Sequence, residues 1–322
     1  MKDYIYNQYD LEAAKKLDGF LPDRLFDTHM HVSHTPKGPR QRLDLKTYYA
    51  DMKPLIGERK LLANAIVYPE PLLLAAEENE KSIKFLTEQL DAYPENVGEI
   101  IVSPQDTAED IEKRLVHPGI RGFKCYHCFA NRENTWQADT SEFLPEAAWE
   151  VANKRGMYIT LHMVRDAALA DEANRRYIKT MAKKYPNAVL ILAHAARSFA
   201  SWTVFDTVDE LVECENVWFD FSAICEAPAM TYILKKVGVK RCMWGSDYPV
   251  SMFAGKAISI GDTFYWISEK DLAGFNSKTT FHSYHVGTEG LMATWQACTL
   301  ADLTASDIED FFYNNAVGLM KK

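Results

Sequence analysis

The sequence predicts an α/β fold, a closed (β/α)8 TIM barrel with a short N-terminal extension and an insertion after the eighth strand. Three observations carry this. The chain has 322 residues, more than an average domain but suited to one barrel of about 250 residues with additions. Short apolar, β-rich runs alternate with longer stretches of helical spacing, as in a parallel sheet with crossover helices. No Ser/Gly linker, charge run or low-complexity tract divides the chain, so 1–322 reads as one domain.

The expected strands fall at 25–32, 61–68, 97–103, 120–126, 157–163, 188–194, 217–223 and 241–246. Amphipathic segments between them, such as 72–92, 142–155 and 171–185, place apolar residues at helical spacing and charges elsewhere. Tyr93-Pro94, Tyr185-Pro186 and Gly238 stop helical patterns just before the next strand. Residues 1–22 precede the first strand and read as a short helical cap over the bottom of the barrel. Residues 250–283 leave from a strand C-terminus and carry Phe253, Phe264, Tyr265 and Trp266. That exit point predicts a lid or substrate wall over the mouth, with a dimer contact as the alternative.

Hydrophobic residues at 47% and charged residues at 25% exclude disorder and small disulfide scaffolds. With 36 basic against 45 acidic residues the net charge is −9, and no basic patch offsets it, so nucleic acid is not an expected partner. No apolar run approaches the roughly 18 residues of a membrane span. Residues 1–10 lack the basic and apolar regions of a secretory leader, so a cytoplasmic location is expected. The 6 cysteines form no dense framework and read as reduced thiols. Cys125-Tyr126-His127-Cys128 lacks the second ligand pair of a zinc knuckle and the helical context of a redox site.

Barrel enzymes keep their chemistry at the C-terminal ends of the strands, so the polar residues closing each run are the candidates. The first run ends Phe26-Asp27-Thr28-His29-Met30-His31, and strand alternation turns both imidazoles to one side. The fifth ends at His162, the sixth at His194 and the eighth at Asp247. Any one of these could be a hydrogen-bonded structural residue. Together they converge on a volume that a cation or an anionic ligand makes favourable. Imidazoles with a carboxylate suit Zn²⁺, and Mn²⁺ or Fe²⁺ are tolerated. Lys124 and Tyr126 close the fourth run pointing the same way; Arg165 and Arg197 each stand three residues beyond a histidine, where a guanidinium can grip a carboxylate. A solvated loop arginine is the competing reading for both.

These motifs, with Trp244-Gly245-Ser246-Asp247-Tyr248-Pro249 and Tyr313-Asn314-Asn315-Ala316, resemble the amidohydrolase superfamily over nearly the whole chain. The resemblance is to its branch of aminocarboxymuconate-semialdehyde decarboxylase, resorcylate-type decarboxylases and pyrone-dicarboxylate lactonase. It implies one divalent metal on His29, His31 and His162, with Asp247 as ligand or as base to the activated water. His194 would stand just outside the ligands, polarising a carbonyl or steering a proton. Lys124 would bridge two metals as a carbamate, contact a substrate carboxylate, or form a structural ion pair. A homodimer is also implied.

The reading that follows is metal-dependent hydrolysis of a small carboxylated or cyclic amide, lactone or ester. Its rival is non-oxidative decarboxylation of an aromatic or unsaturated acid, and a non-catalytic binding barrel is the remote alternative. Tyr126, Lys124, Arg165 and Arg197 are the expected substrate contacts.

Overall fold

The computed structural model describes residues 4–268, 271 and 282–321. β1 (Arg24–Val32), β2 (Lys60–Val67), β3 (Val97–Ile101), β4 (Ile120–Cys125), β5 (Tyr158–Leu161), β6 (Val189–Leu192), β7 (Val217–Asp220) and β8 (Cys242–Met243) lie in chain order in one parallel sheet. The ring closes just beyond the short β8. Thr28 N–H donates to the Trp244 carbonyl (3.1 Å), Asp247 N–H to His29 (2.7 Å) and His31 N–H to Tyr248 (2.8 Å). The fold is the (β/α)8 barrel.

Crossovers are α2 (Leu45–Ile56), α3 (Ala76–Ala92), α4 (Ala108–Arg114), α5 (Glu146–Arg155), α6 (Glu172–Lys184) and α7 (Ala227–Val237), following the N-terminal α1 (Gln8–Leu17). Local chemistry sets their ends. Thr107 and Asp110 form a reciprocal cap on α4, Asp171 caps α6, and Gly156 at φ 64° ends α5 in the left-handed conformation. The expected helix 72–92 begins later, because extended Ala75 separates a 3₁₀ turn (Pro71–Leu74) from α3. Between β6 and β7 no full helix forms, and 3₁₀ turns at Ser201–Thr203 and Val208–Leu211 take its place.

Inside the barrel, Gly122 is required: a Cβ there would lie 2.2 Å from the Tyr158 ring. After β8, α8 (Val286–Leu300) and α9 (Ala305–Glu309) lead through a π-helical turn (Asp310–Asn314) to α10 (Asn315–Met320). α10 closes the bottom of the barrel, with Ala316 and Met320 buried against Phe26, Leu62, Val97, Tyr158, Ile191 and Met243.

This corrects the expectation that residues 1–22 cap the bottom. α1 instead packs on the flank against α2 and α8. Tyr4 N–H bonds the Met252 carbonyl (2.8 Å), the Asn7 amide bonds Ser283 (3.1 Å), and Asp10 meets His285 Nδ1 at 2.7 Å. The buried Asp10 carboxylate needs that N–H donor, and His285 lies beside the mouth, not the floor. An apolar face such as Ala13 with Leu17 shows that a helix packs, but not against what.

The insertion begins with an antiparallel hairpin of β9 (Gly255–Ile260) and β10 (Thr263–Ser268). The rest of the expected lid, apart from Asp271 and 282–283, falls on 269–270 and 272–281, outside the described residues. No helix among the described residues is long and apolar enough to cross a membrane.

Candidate metal centre and active site

β1 carries an irregularity between Asp27 and Met30, and this re-aims its end into the barrel. The Asp27 carboxylate accepts His29 N–H (3.0 Å), Ser246 N–H (2.8 Å) and the Tyr48 hydroxyl (2.6 Å), tying β1 to the end of β8. Gly245 makes the approach feasible, since a Cβ there would stand 2.8 Å from that of His29. Asp247 follows at φ 57°, a conformation costly for a side-chain-bearing residue and typical of functional sites.

His29, His31 and Asp247 offer ligand atoms that all lie within 4.8 Å of one another. Asp247 Oδ1 is 3.6 Å from His29 Nε2 and 3.4 Å from His31 Nε2. Burial raises the Asp247 pKa, but the neighbouring His194, His31 and His29 outweigh it and hold the carboxyl at about 2. Burial pushes all four imidazoles down, His194 to about 4, so they stand neutral near pH 7.

His162 is placed apart from that trio, with Nδ1 3.2 Å from His194 Nε2. The hydrogen-bond network assigns its tautomer. His194 Nδ1 faces the Ser222 carbonyl at 3.1 Å, which can only accept, so His194 donates there and its Nε2 accepts from His162 Nδ1–H. That leaves a lone pair on His162 Nε2, which is buried without a partner. His29 is fixed likewise. Its Nδ1–H donates to Asp220 Oδ2 (3.0 Å), leaving the Nε2 lone pair toward Asp247. A carboxylate behind a histidine, and a buried nitrogen with no partner, are features of a metal-ligating set, so the residues fit a divalent ion.

Asp220 and Ser222, at the end of β7, were missed in the sequence although the rule applied to the other strands would have found them. Asp220 also accepts the N–H of His194 (3.2 Å) and of Ser222 (3.1 Å), and its pKa is held well below the usual range despite burial. Glu99 on β3 was missed too. It is fully buried under Lys124, bonded through Oε1 to Asn64 and Thr160, with Oε2 unpartnered, and burial pushes it up to about 8.

Lys124 is buried, its Nζ 3.2 Å from His29 Nε2, and burial lowers its pKa. The Tyr126 ring lies tilted against that of His162, with centroids 4.5 Å apart. Arg165 is engaged elsewhere: it pairs with Asp139 and, at 3.0 Å, with Asp171, and does not line the cavity. Arg197 does line it. Its guanidinium donates to the Arg165 carbonyl (3.0 Å), lies 5.0 Å from the Phe264 ring centroid and 5.6 Å from that of Trp136, and forms no ion pair among the described residues.

His194 and Arg197 are the two ends of one left-handed helical turn. His194, Ala195, Ala196 and Arg197 all have positive φ (55°, 48°, 62° and 57°), and Ser198 N–H closes the turn on the His194 carbonyl at 3.0 Å. L-residues adopt this hand at a cost, here spent on aiming two polar side chains at one cavity.

The space has two parts. A polar cavity of about 80 Å³ lies between Lys124, His29, His31, His162 and Asp247. It adjoins a wide cavity of about 830 Å³ walled by Trp136, Phe199, Phe253, Phe264 and Trp266. Tyr126, His162, His194 and Asp247 line both.

The family model described as amidohydrolase matches residues 26–319. No curated protein matches the chain in sequence. Solved structures share the fold at low identity. A Pseudomonas putida protein assigned as a 2-pyrone-4,6-dicarboxylic acid hydrolase is 14% identical, with TM-score 0.58, over 94% of this chain and 98% of its own. An amidohydrolase from Burkholderia multivorans with bound zinc is 12% identical, TM-score 0.59, over 92% and 99%. A 5-carboxyvanillate decarboxylase from Novosphingobium aromaticivorans, complexed with manganese, is 15% identical, TM-score 0.60, over 93% and 96%.

Proposed function

The chain belongs to the amidohydrolase family, and we propose that within it this protein is a metal-dependent hydrolase of a carboxylate-bearing small molecule with a lactone, ester or amide bond. The observation that carries this is the placement of Asp247: a carboxylate between His29 and His31, at the junction of the polar and apolar cavities. A divalent ion, Zn²⁺ first with Mn²⁺ or Fe²⁺ as alternatives, would be held by His29, His31, His162 and Asp247 and would supply Lewis-acid charge that makes water acidic near neutral pH.

The chain's own groups do the rest. Asp247, ionised throughout the physiological range, takes the proton from the attacking water and can return it to the leaving group. His194 is committed at both nitrogens, to Ser222 and His162, so its part is to orient His162. Arg197 takes a substrate carboxylate, and Tyr126 and the β9–β10 hairpin form walls of the binding space, as a lid insertion over 250–283 would. Lys124, buried against His29, is too enclosed to grip a group in the wide cavity and acts within the polar one.

Decarboxylation is the second reading, since a relative of the same fold is a 5-carboxyvanillate decarboxylase. There the Asp247 carboxyl would deliver a proton to the carbon that loses CO₂, where hydrolysis would have it deliver one to the leaving group, so the products separate the two readings. Incubation with ¹³C-carboxyl-labelled aromatic and pyrone esters and lactones separates the two. Acid released without labelled CO₂ supports hydrolysis; release of ¹³CO₂ overturns it. A homodimer accompanies this reading through the family resemblance, and light scattering tests it.

A further inference from the structure

The two cavities differ too much in size to serve one small ring. A dry cavity of about 150 Å³ takes benzene. The polar cavity, at about 80 Å³, is too small for a ring and admits only the reacting group. The wide one, at about 830 Å³, lies in the range that encloses drug-sized ligands and would leave a single-ring acid surrounded by water. Its aromatic walls also carry uncovered surface: Trp136 is 47% exposed, Phe253 41% and Trp266 40%.

The walls are arranged for a flat body. Phe264 and Trp266 alternate onto one face of β10 and meet Phe199 at centroid distances of 4.8 and 5.3 Å. Arg197 lies against Trp136 and Phe264 on the same wall, where Asp166 also stands but beyond ion-pair distance. A cation resting on aromatic faces, with its carboxylate partner missing, is a recognition element for an anion attached to a ring system.

We infer that the substrate is a planar acid of at least two fused or linked rings. Its anionic group sits on Arg197, its rings cover Phe264 and Trp266, and only its scissile group enters the polar cavity beside Asp247. The inference rests on the function proposed above and narrows it. It sets this chain apart from a relative whose named ligand, 4-hydroxy-3-methoxy-5-nitrobenzoic acid, has one ring.

The test is calorimetric titration of the purified wild-type protein with benzoate, 2-naphthoate, 2-naphthalenemethanol and dodecanoate. None of them carries a hydrolysable ester, lactone or amide, so the binding result stands whether or not the hydrolase reading does. The expected result is at least tenfold tighter binding of 2-naphthoate than of benzoate, dodecanoate or 2-naphthalenemethanol. Trp266→Ala and the milder Phe264→Leu should each remove most of the gain over benzoate. Arg197→Met should weaken 2-naphthoate at least tenfold and leave 2-naphthalenemethanol unchanged. Benzoate or dodecanoate binding as tightly as 2-naphthoate, or 2-naphthalenemethanol equalling it, overturns the inference.

Discussion

Replacing Ala195 by glycine should leave the protein about as stable as before, although the same change at Ala152 should weaken it clearly. Both alanines are fully buried. Ala152 lies in right-handed α5, where glycine costs about 1 kcal/mol in propensity. The lost methyl adds about 0.8 kcal/mol. The expected loss at Ala152 is therefore about 2 kcal/mol. Ala195 has φ 48° and ψ 49°. An L-residue there is strained by about 1–2 kcal/mol, which glycine relieves, so the terms nearly cancel. Thermal unfolding of the two variants followed by circular dichroism reads the difference, expected at roughly 2–4 °C. If Ala195→Gly loses as much as Ala152→Gly, the turn that aims His194 and Arg197 is not left-handed, and the account of how it is built fails.

Asp220→Asn should weaken metal affinity by about ten- to a hundredfold, because His29 loses the carboxylate that fixes its tautomer; competition against a chromophoric chelator measures this, and unchanged affinity removes the role. Glu99 makes a pH prediction. Its folded pKa of about 8 stands above the ordinary 4.5, so its favourable contribution is full below pH 4.5 and is lost as pH rises through 8. Glu99→Gln should then gain stability relative to wild type between pH 5 and 8, read as a widening difference in melting temperature; a constant difference refutes it. Arg165→Ala, which breaks the pairs with Asp139 and Asp171, should lower the melting temperature and leave KM alone. Arg197→Met should raise KM at least tenfold with little change in melting temperature.

The barrel was legible because buried parallel strands must be apolar runs and their crossovers must be amphipathic. The runs overestimate the ladders. His162 and His194 lie past the last paired residues, Leu161 and Leu192, whereas His31 is still paired with Ile66. Lone polar residues ending apolar runs identified His29, His31, His162, His194 and Asp247, but not how they share protons. That depends on which oxygen each Nδ1 meets, and the Ser222 carbonyl belongs to another strand. Asp220 and Glu99 were legible in principle, since each interrupts an apolar strand. The engagement of Arg165 was not, because Asp139 and Asp171 reach it only through the fold. The placement of α1 was hidden for the same reason: Asp10 and His285 are 275 positions apart.

The bonds that close the barrel run through the residues proposed to do its chemistry. Asp247 donates its backbone N–H to the His29 carbonyl, and His31 donates to that of Tyr248, so the ring's last joint and the proposed metal centre share one set of hydrogen bonds. β8 contributes only two paired residues to hold that joint from the other side. Any fluctuation that parts the first strand from the last therefore disperses the ligands in the same event. Amide exchange at His31 and Asp247 should slow and quicken in step with the rate of irreversible inactivation, making those two protons internal clocks of the enzyme's working lifetime.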